Sequence, residues 1–423
     1  MHFSLEVLRA RKGDCLLLHF GSRDDPHLIV VDGGPSSVYR PHLRPRLERI
    51  RAERGLEEDQ PLPVDALLVS HVDDDHIKGI LELSQEQRAH GALPLDVGGL
   101  WHNSFDDILD TTPKELDAAA GFGAAALAGE IELDGEPELD AAKVLASIPQ
   151  GRQLRDDALA LGWPVNAPFG RKLILATGKA KPVALGGGLQ LLTVGPMWAE
   201  LKALQAAHDK WLKARKGKQE PAAALAAYVD RSVANLSSIV LLAEAGGRRM
   251  LLTGDARGDR ILQGLELAGL IEQGGAMHVD LLKVPHHGSA NNLETDFFRR
   301  ITADHYVFSG DGEHGNPERE ALGMLAEARG EAGYTIHLTY PIDEIDARRQ
   351  EDWRKEQAKE INRKKKNPKL AVRADWSPEK HGLAAFLADR PALADRVRIV
   401  APDRPHVIDL GTPLKEAWPS LPS

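Results

Sequence analysis

Ser70-His71-Val72-Asp73-Asp74-Asp75-His76-Ile77-Lys78-Gly79 decides the fold, and the apolar run Ala66-Leu67-Leu68-Val69 leads straight into it. Within six positions, His71, Asp73, Asp74, Asp75 and His76 all carry side chains able to bind a metal. The apolar run reads as a buried strand, and polar groups gathered at its C-terminal end read as a site. Adjacent aspartates repel one another unless a cation sits among them. Carboxylates and imidazoles are the oxygen and nitrogen donors that Zn²⁺ or Mn²⁺ accepts. A solvated acidic loop beside stray histidines is the plainer alternative.

The same pattern recurs at three other apolar runs. His27-Leu28-Ile29-Val30-Val31 ends in Asp32-Gly33-Gly34, a carboxylate followed by two glycines where backbone has to pack closely. Two runs flanking Gly246-Gly247 form a hairpin signal, and the second, Arg249-Met250-Leu251-Leu252, ends in Thr253-Gly254-Asp255. Val279-Asp280-Leu281-Leu282-Lys283-Val284 ends in Pro285-His286-His287-Gly288. Four strand ends bearing polar groups point to one edge of a sheet, because ligands bind beyond the carboxyl ends of strands in open α/β folds. There are more ligands than one tetrahedral ion can use. Two divalent metal ions, Zn or Mn, are therefore expected, with Asp255 as the bridge and water ionised between them as nucleophile.

Composition bounds the rest. The chain has 423 residues, 27% of them charged, as in an ordinary globular protein. Its net charge of −10 excludes general attraction to nucleic acid and leaves only a local basic patch. Such a patch is Arg348 to Lys369, with Trp353 interleaved and the run Arg363-Lys364-Lys365-Lys366. It reads as a solvated helix or as a phosphate-tracking surface. Cys15 is the single cysteine, so disulfides and cysteine metal sites are excluded. No run approaches the roughly 20 apolar residues of a membrane helix. The opening residues Met1 to Leu8 alternate like a strand and lack the pattern of a secretion signal, so a cytoplasmic protein without membrane association is expected.

Further strands are expected at Phe3–Val7, Cys15–Phe20, Lys172–Ala176, Leu189–Val194, His305–Ser309 and Thr335–Tyr340, and helices over 40–56 and after Gly79. Residues 113–162 are alanine-rich and helical in pattern, an inserted helical subregion or lid. Trp198 to Leu212 forms a helical stripe in which His208 packs. His102, at another strand end, faces the site or serves packing alone.

His71-Val72-Asp73-Asp74-Asp75-His76 resembles the metallo-β-lactamase superfamily signature His-x-His-x-Asp-His, with aspartate at its second histidine. With Leu251 to Asp255, Leu282 to Ser289, Gly13-Asp14-Cys15 and Asp32-Gly33-Gly34, it resembles the hydrolase domain of competence-channel (ComEC-type) proteins and their free-standing relatives. The resemblance implies an αββα sandwich of two mixed sheets between helices, over 1–340, with 341–423 a basic helical extension. Carried over, His71 and Asp73 hold one metal, Asp75 and His76 the second, and Asp255 bridges. His287 matches the last histidine, with His286 assisting catalysis. Asp75 orients or deprotonates the water, and Asp32 stands behind the ligands. Asn235 occupies a position where many superfamily members have a histidine, which leaves the first site short of nitrogen donors. The implied activity is a metal-dependent phosphodiesterase or nuclease with a nucleic acid or nucleotide substrate. Hydrolysis of carboxylic esters, lactones or thioesters is the second reading, and a binding module with a degenerate site the third.

Overall fold

Phe3, Leu5 and Val7 alternate with His2, Ser4 and Glu6, and this period of two sets the first strand with one apolar face inward. The computed structural model describes residues 1–57, 59–89, 92–110, 113–128, 136–178, 181–216 and 237–417. In its first half the strands are β1 (His2–Val7), β2 (Leu16–Gly21), β3 (Pro26–Val31), β4 (Leu62–Val64), β5 (Ala66–Leu68), β6 (Leu95–Val97) and β7 (Leu100–Trp101). The second half adds β8 (Val183–Ala184), β9 (Gln190–Gly195), β10 (Val240–Ala245), β11 (Arg248–Leu252), β12 (Met277–Lys283), β13 (Ile301–Phe308), β14 (Thr335–Leu338), β15 (Val397–Ile399) and β16 (Val407–Asp409).

Two mixed sheets result. One has the order β16-β1-β2-β3-β5-β7, the other β15-β14-β13-β12-β11-β10-β9-β8, and β4 and β6 form a small separate pair. In the first sheet the pairs around β1, β2 and β3 are antiparallel (Leu5↔Leu18, Leu18↔Ile29), and β3, β5 and β7 run parallel (Val30↔Leu67, Leu68↔Trp101). In the second, β8 to β11 are antiparallel and β11 to β15 parallel, with Leu251↔Leu282 and Leu282↔Tyr306 in register. Gly246 and Gly247, at φ 57° and 77°, make the tight β10–β11 turn.

Phe3, Leu18, Ile29 and Leu68 of one sheet meet Leu241, Met250, Leu281 and Val307 of the other in a core between the sheets. The outer face of the first sheet is covered by the helices Arg44–Glu53 and Asp74–Gln87, through Leu47, Ile50, Ile77 and Ile80. The outer face of the second is covered by Gly258–Leu267, Arg319–Arg329 and Leu383–Ala388, through Leu265, Leu325 and Phe386. Helix, sheet, sheet, helix is the layer order, which is the αββα sandwich expected.

Three details differ from the sequence reading. Lys172–Ala176 is not a strand; within it only Ala176 makes an isolated bridge, to Met197. The side-chain amide of Asn103 takes the place of a neighbouring strand there, donating to Ile174 O and accepting from Ile174 N–H, each at 2.9 Å. The helix expected after Gly79 starts at Asp74, so Asp75 and His76 belong to its first turn. The tail beyond 340 is not helical throughout: after the helix Ile342–Lys366, the apolar-alternating run Arg396 to Val400, which reads as a strand in the sequence, supplies β15 to the edge of one sheet, and β16 joins the edge of the other.

Within 113–162, the helices Pro113–Leu127 and Glu136–Ala160 pack through Leu116, Leu145 and Ile148 with Leu201, Leu204 and Val72, so this region braces the loop that carries His71. His208 is fully buried in the helix Trp198–Lys216. No helix among the described residues is long and apolar enough to cross a membrane.

Candidate metal centre

Strand ends and one helix start deliver the polar groups. β5 runs out into Ser70 and His71, and Asp73 is the N-cap of the helix Asp74–Gln87, whose first turn holds Asp75 and His76. Negative charge in a first turn is favoured by the helix dipole. That turn is seated against the Asp32-Gly33-Gly34 segment: a Cβ on Gly79 would lie 1.9 Å from Gly33 O, so only glycine permits the approach. β11 ends in Thr253-Gly254-Asp255, where Gly254 (φ 49°) lets the backbone come up to Ser70 and carries Asp255 to His71. After β12, His286 and His287 both adopt left-handed backbone, at φ 48° and 53°.

Asp255 is the centre of the arrangement. Its Oδ1 lies 3.4 Å from Nε2 of His76 and 3.4 Å from Nε2 of His287. Its Oδ2 lies 3.7 Å from Nε2 of His71 and 3.7 Å from Nε2 of His286. Asp73 adds an oxygen 3.7 Å from His71 Nε2, and Asp75 one 3.8 Å from His287 Nε2 and 4.0 Å from His76 Nε2. These separations exceed the 2.7–3.2 Å of an N–H···O hydrogen bond. They suit donor atoms sharing one ion: bonds of about 2.1 Å in a tetrahedron put neighbouring ligands about 3.4 Å apart.

The opposite ring nitrogens are held by the protein. Asp32 Oδ2 accepts from Nδ1–H of His76 at 2.8 Å and from the Ser70 hydroxyl at 2.7 Å, and Oδ1 accepts from Ser70 N–H at 2.7 Å. Ser70 Oγ in turn lies 3.1 Å from His71 Nδ1, and Ser309 Oγ lies 2.8 Å from His287 Nδ1. With each Nδ1 engaged this way, each Nε2 presents its lone pair toward Asp255. Nε2 of His71 is buried and has no hydrogen-bond partner among the described residues, which a cation would supply. The residues present thus fit a divalent cation.

Charge argues the same way. Asp14, Asp32 and Asp255 are buried, and the one ammonium among them, Lys283 Nζ, is 2.6 Å from Asp14 Oδ2. Buried carboxylates in such excess are costly without further positive charge. Burial opposes the protonated form of His287, yet Asp255 and Asp14 outweigh it and hold its pKa at about 9. His76 is likewise raised against burial by Asp255 and Asp32. His71 is pushed down to about 3 by burial and by the neighbouring His76. Burial resists ionisation of Asp255, but His287, His76 and His286 lower its pKa all the same.

The structure thus brings His71, Asp73, Asp75, His76, Asp255, His286 and His287 together, with Asp32 behind them. Asn235 lies outside the described residues. Asp74 is exposed, bonded to Gln150 and paired with Lys78. His102 is buried near Gly151 of the helix Glu136–Ala160 and Val72, its pKa lowered to about 4 by burial. Sequence reasoning gave no site role to Asp14, Ser70, Lys283 or Ser309. Asp14 belongs to the one compact group of four possible ligands among the described residues, with His76, Asp255 and His287. It faces Nδ1 of His287 at 3.6 Å and of His76 at 3.9 Å, and its ligand atom lies within 4.8 Å of those of His76, Asp255 and His287. Its signals in the sequence are its place in the Gly13-Asp14-Cys15 stretch and Gly13 itself, where a Cβ would strike the carbonyl of Asp75.

A family model described as the metallo-beta-lactamase superfamily matches residues 10–153. Over these residues, about a third of the chain, the sequence is similar to that superfamily. The match covers Asp14, Asp32 and His71 to His76, and the fold joins Asp255, His286 and His287 to them. Over 67 residues the chain is 39% identical to microtubule-associated protein 1A of Homo sapiens, a match to 16% of this chain and 2% of that protein. Over 72 residues it is 39% identical to microtubule-associated protein futsch of Drosophila melanogaster, 16% of this chain and 1% of that one. The matched segment is thus a very small part of these curated relatives. Among solved structures, a provisionally assigned metal-dependent hydrolase from Parabacteroides distasonis aligns with 80% of this chain and 98% of its own, at 10% identity and a TM-score of 0.31. A protein of unknown function from Enterococcus faecalis aligns with 81% and 71%, at 12% identity and a TM-score of 0.26.

Proposed function

We propose that this metallo-β-lactamase domain is a metal-dependent hydrolase of phosphodiester bonds, with nucleic acid or a nucleotide as substrate and two divalent ions, Zn or Mn, as cofactors. The observation that carries the reading is Asp255, each of whose oxygens faces its own pair of histidine Nε2 atoms. That is the donor layout of a carboxylate shared by two cations, and such pairs serve in-line displacement at phosphorus. Bound ions supply charge for the substrate oxygen and make water ionisable near neutral pH. The chain's own residues do the rest. Asp32, Ser70 and Ser309 fix the rings. Asp75, within 4.0 Å of both His76 and His287 Nε2 and partly exposed, takes the proton of the attacking water on its carboxylate.

The basic helix supports a polyanionic substrate. Asp14 N–H donates to Asp75 O, Lys12 pairs with Glu313 at 3.0 Å, and His314 N–H donates to Asp352 Oδ2 of the helix Ile342–Lys366. The helix thus reaches the chain around the site at Asp352 and extends about 20 Å beyond it to the exposed Lys364 and Lys365. Its earlier lysines are partly neutralised, Lys355 by Glu351 and Lys359 by Glu356. Trp353 is engaged by His381, at 4.2 Å between ring centroids, and donates to Ala374 O, so base stacking on it is not part of the reading.

The test is cleavage of labelled single-stranded DNA and of bis(p-nitrophenyl) phosphate by the full chain with Mn²⁺ or Zn²⁺. Both should be cleaved. Lys364→Glu with Lys365→Glu should raise KM for DNA several-fold and leave the small diester untouched. Turnover of lactones or thioesters with phosphodiesters intact would transfer the reading to carbonyl substrates.

A further inference from the structure

We infer that His286 is a metal ligand, completing a cation site with His71, Asp73 and Oδ2 of Asp255, while His287 completes the other site with His76, Asp75 and Oδ1. This rests on the two-cation reading above and gives its first site a second nitrogen donor from a residue expected only to assist.

Geometry carries it. Two consecutive non-glycine residues in left-handed backbone are rare, each costing about 1–2 kcal/mol. Here the turn is pinned: His286 N–H donates to Gly254 O at 3.2 Å, one residue before Asp255, and His286 O accepts from Ser289 N–H at 2.8 Å. The rings consequently diverge, their centroids 6.1 Å apart at an interplanar angle of 66°. Diverging rings on adjacent residues cannot serve one ion from the same side, but they can reach the two oxygens of one carboxylate.

That is what the distances show. His286 and His71 stand at the same 3.7 Å from Oδ2, as His287 and His76 stand at the same 3.4 Å from Oδ1. A histidine kept for proton transfer to a leaving group would point its free nitrogen at the substrate space. His286 points Nε2 at the carboxylate oxygen that His71 also faces. Its side chain is 29% exposed where that of His287 is 2%, so the site it completes is the more open of the two.

The experiment counts and locates ions in the full-length protein, using Zn²⁺ for stoichiometry and Co²⁺ for its visible absorption. Wild type should bind two ions per chain. His286→Ala should keep one and weaken the other by more than the roughly 10–100-fold that loss of an outer-shell partner costs. Anomalous scattering should place the retained ion beside His76 and His287. His287→Ala should show the converse. If the alanine variant unfolds, His286→Gln, similar in reach and a poor ligand, gives the same readout through lost Co²⁺ absorption. Two ions held by His286→Ala with wild-type affinity would overturn this inference alone. Failure of wild type to bind two ions would overturn the two-cation reading beneath it.

Discussion

His71, His76 and His287 gather at the strand ends, while His305, His337 and His406 line up across β13, β14 and the segment before β16. In the second group Nδ1 of His305 lies 3.0 Å from Nε2 of His337, whose Nδ1 lies 2.8 Å from Nε2 of His406. The two groups have similar spacing, although His305 and His406 are only half-buried, and opposite surroundings. Asp14, Asp32 and Asp255 face the first, and their charge raises the pKa of His76 and His287 against burial. Among the described residues, the second has no carboxylate among the bonded partners of its rings. Burial, reinforced by His406, His305 and Arg398, lowers the pKa of His337 to about 2, and burial lowers its two neighbours as well. A cluster that demands positive charge is suited to cations, whereas a neutral hydrogen-bonded row ties strands together. What separates function from packing here is the company of carboxylates rather than the number of histidines.

The largest test of that contrast is Asp255→Ala. Removing the carboxylate both sides share should abolish binding of both ions and lower phosphodiester turnover at least ~1,000-fold, the scale of losing a group that stabilises the transition state. His337→Gln, at the centre of the other row, should leave turnover and ion content at wild-type values. Equal rates for wild type and Asp255→Ala would sink the hydrolase reading.

A smaller effect is expected at Asp32. It touches no Nε2 atom, but it holds His76 and Ser70, and through Ser70 it bears on His71. Asp32→Ala should weaken ion affinity about 10–100-fold, as outer-shell losses do. Isothermal titration with Zn²⁺ measures it, and unchanged affinity would deny Asp32 its orienting role.

The placement of Asp32, His71 to His76, Asp255 and His286-His287 was legible because each follows an apolar run, and parallel strands leave their C-terminal residues at one edge. The two layers of sheet were legible for the same reason, from period-two alternation and glycine turns. Other parts were not. Asp14, Ser309 and Lys283 are single polar residues whose meaning lies only in what the fold sets against them. Lys172–Ala176 has strand composition, but the amide of Asn103, 71 residues away from Ile174, satisfies its backbone instead of a ladder. β15 and β16 are three residues each, too short to reveal which sheet they join. Local pattern therefore located the polar residues that gather at the sheet edge, and three-dimensional pairing alone could set each histidine against one oxygen of Asp255.

The smallest predicted effect concerns pH and belongs to the neutral row. The pKa of His337 falls from about 6.5 in the unfolded chain to about 2 in the fold, so the unfolded state binds more protons at any pH between them. Stability contributed by the neutral ring is complete above about pH 6.5 and is lost progressively as pH falls. At pH 5 the loss is set by the unfolded value alone, since the folded pKa lies well below. It amounts to about 1.5 pH units, or about 2 kcal/mol. His305 and His406 shift in the same direction and add to the acid sensitivity. Glutamine keeps one donor and one acceptor on the side chain but does not titrate. The drop in unfolding free energy between pH 7 and pH 5 should therefore be about 2 kcal/mol smaller in His337→Gln than in wild type. Urea titrations in the presence of a chelator give the comparison without interference from bound ions. An identical drop in the two proteins would mean that His337 is already protonated at pH 5, and the contrast between a cation-seeking cluster and a neutral row would fail at its second member.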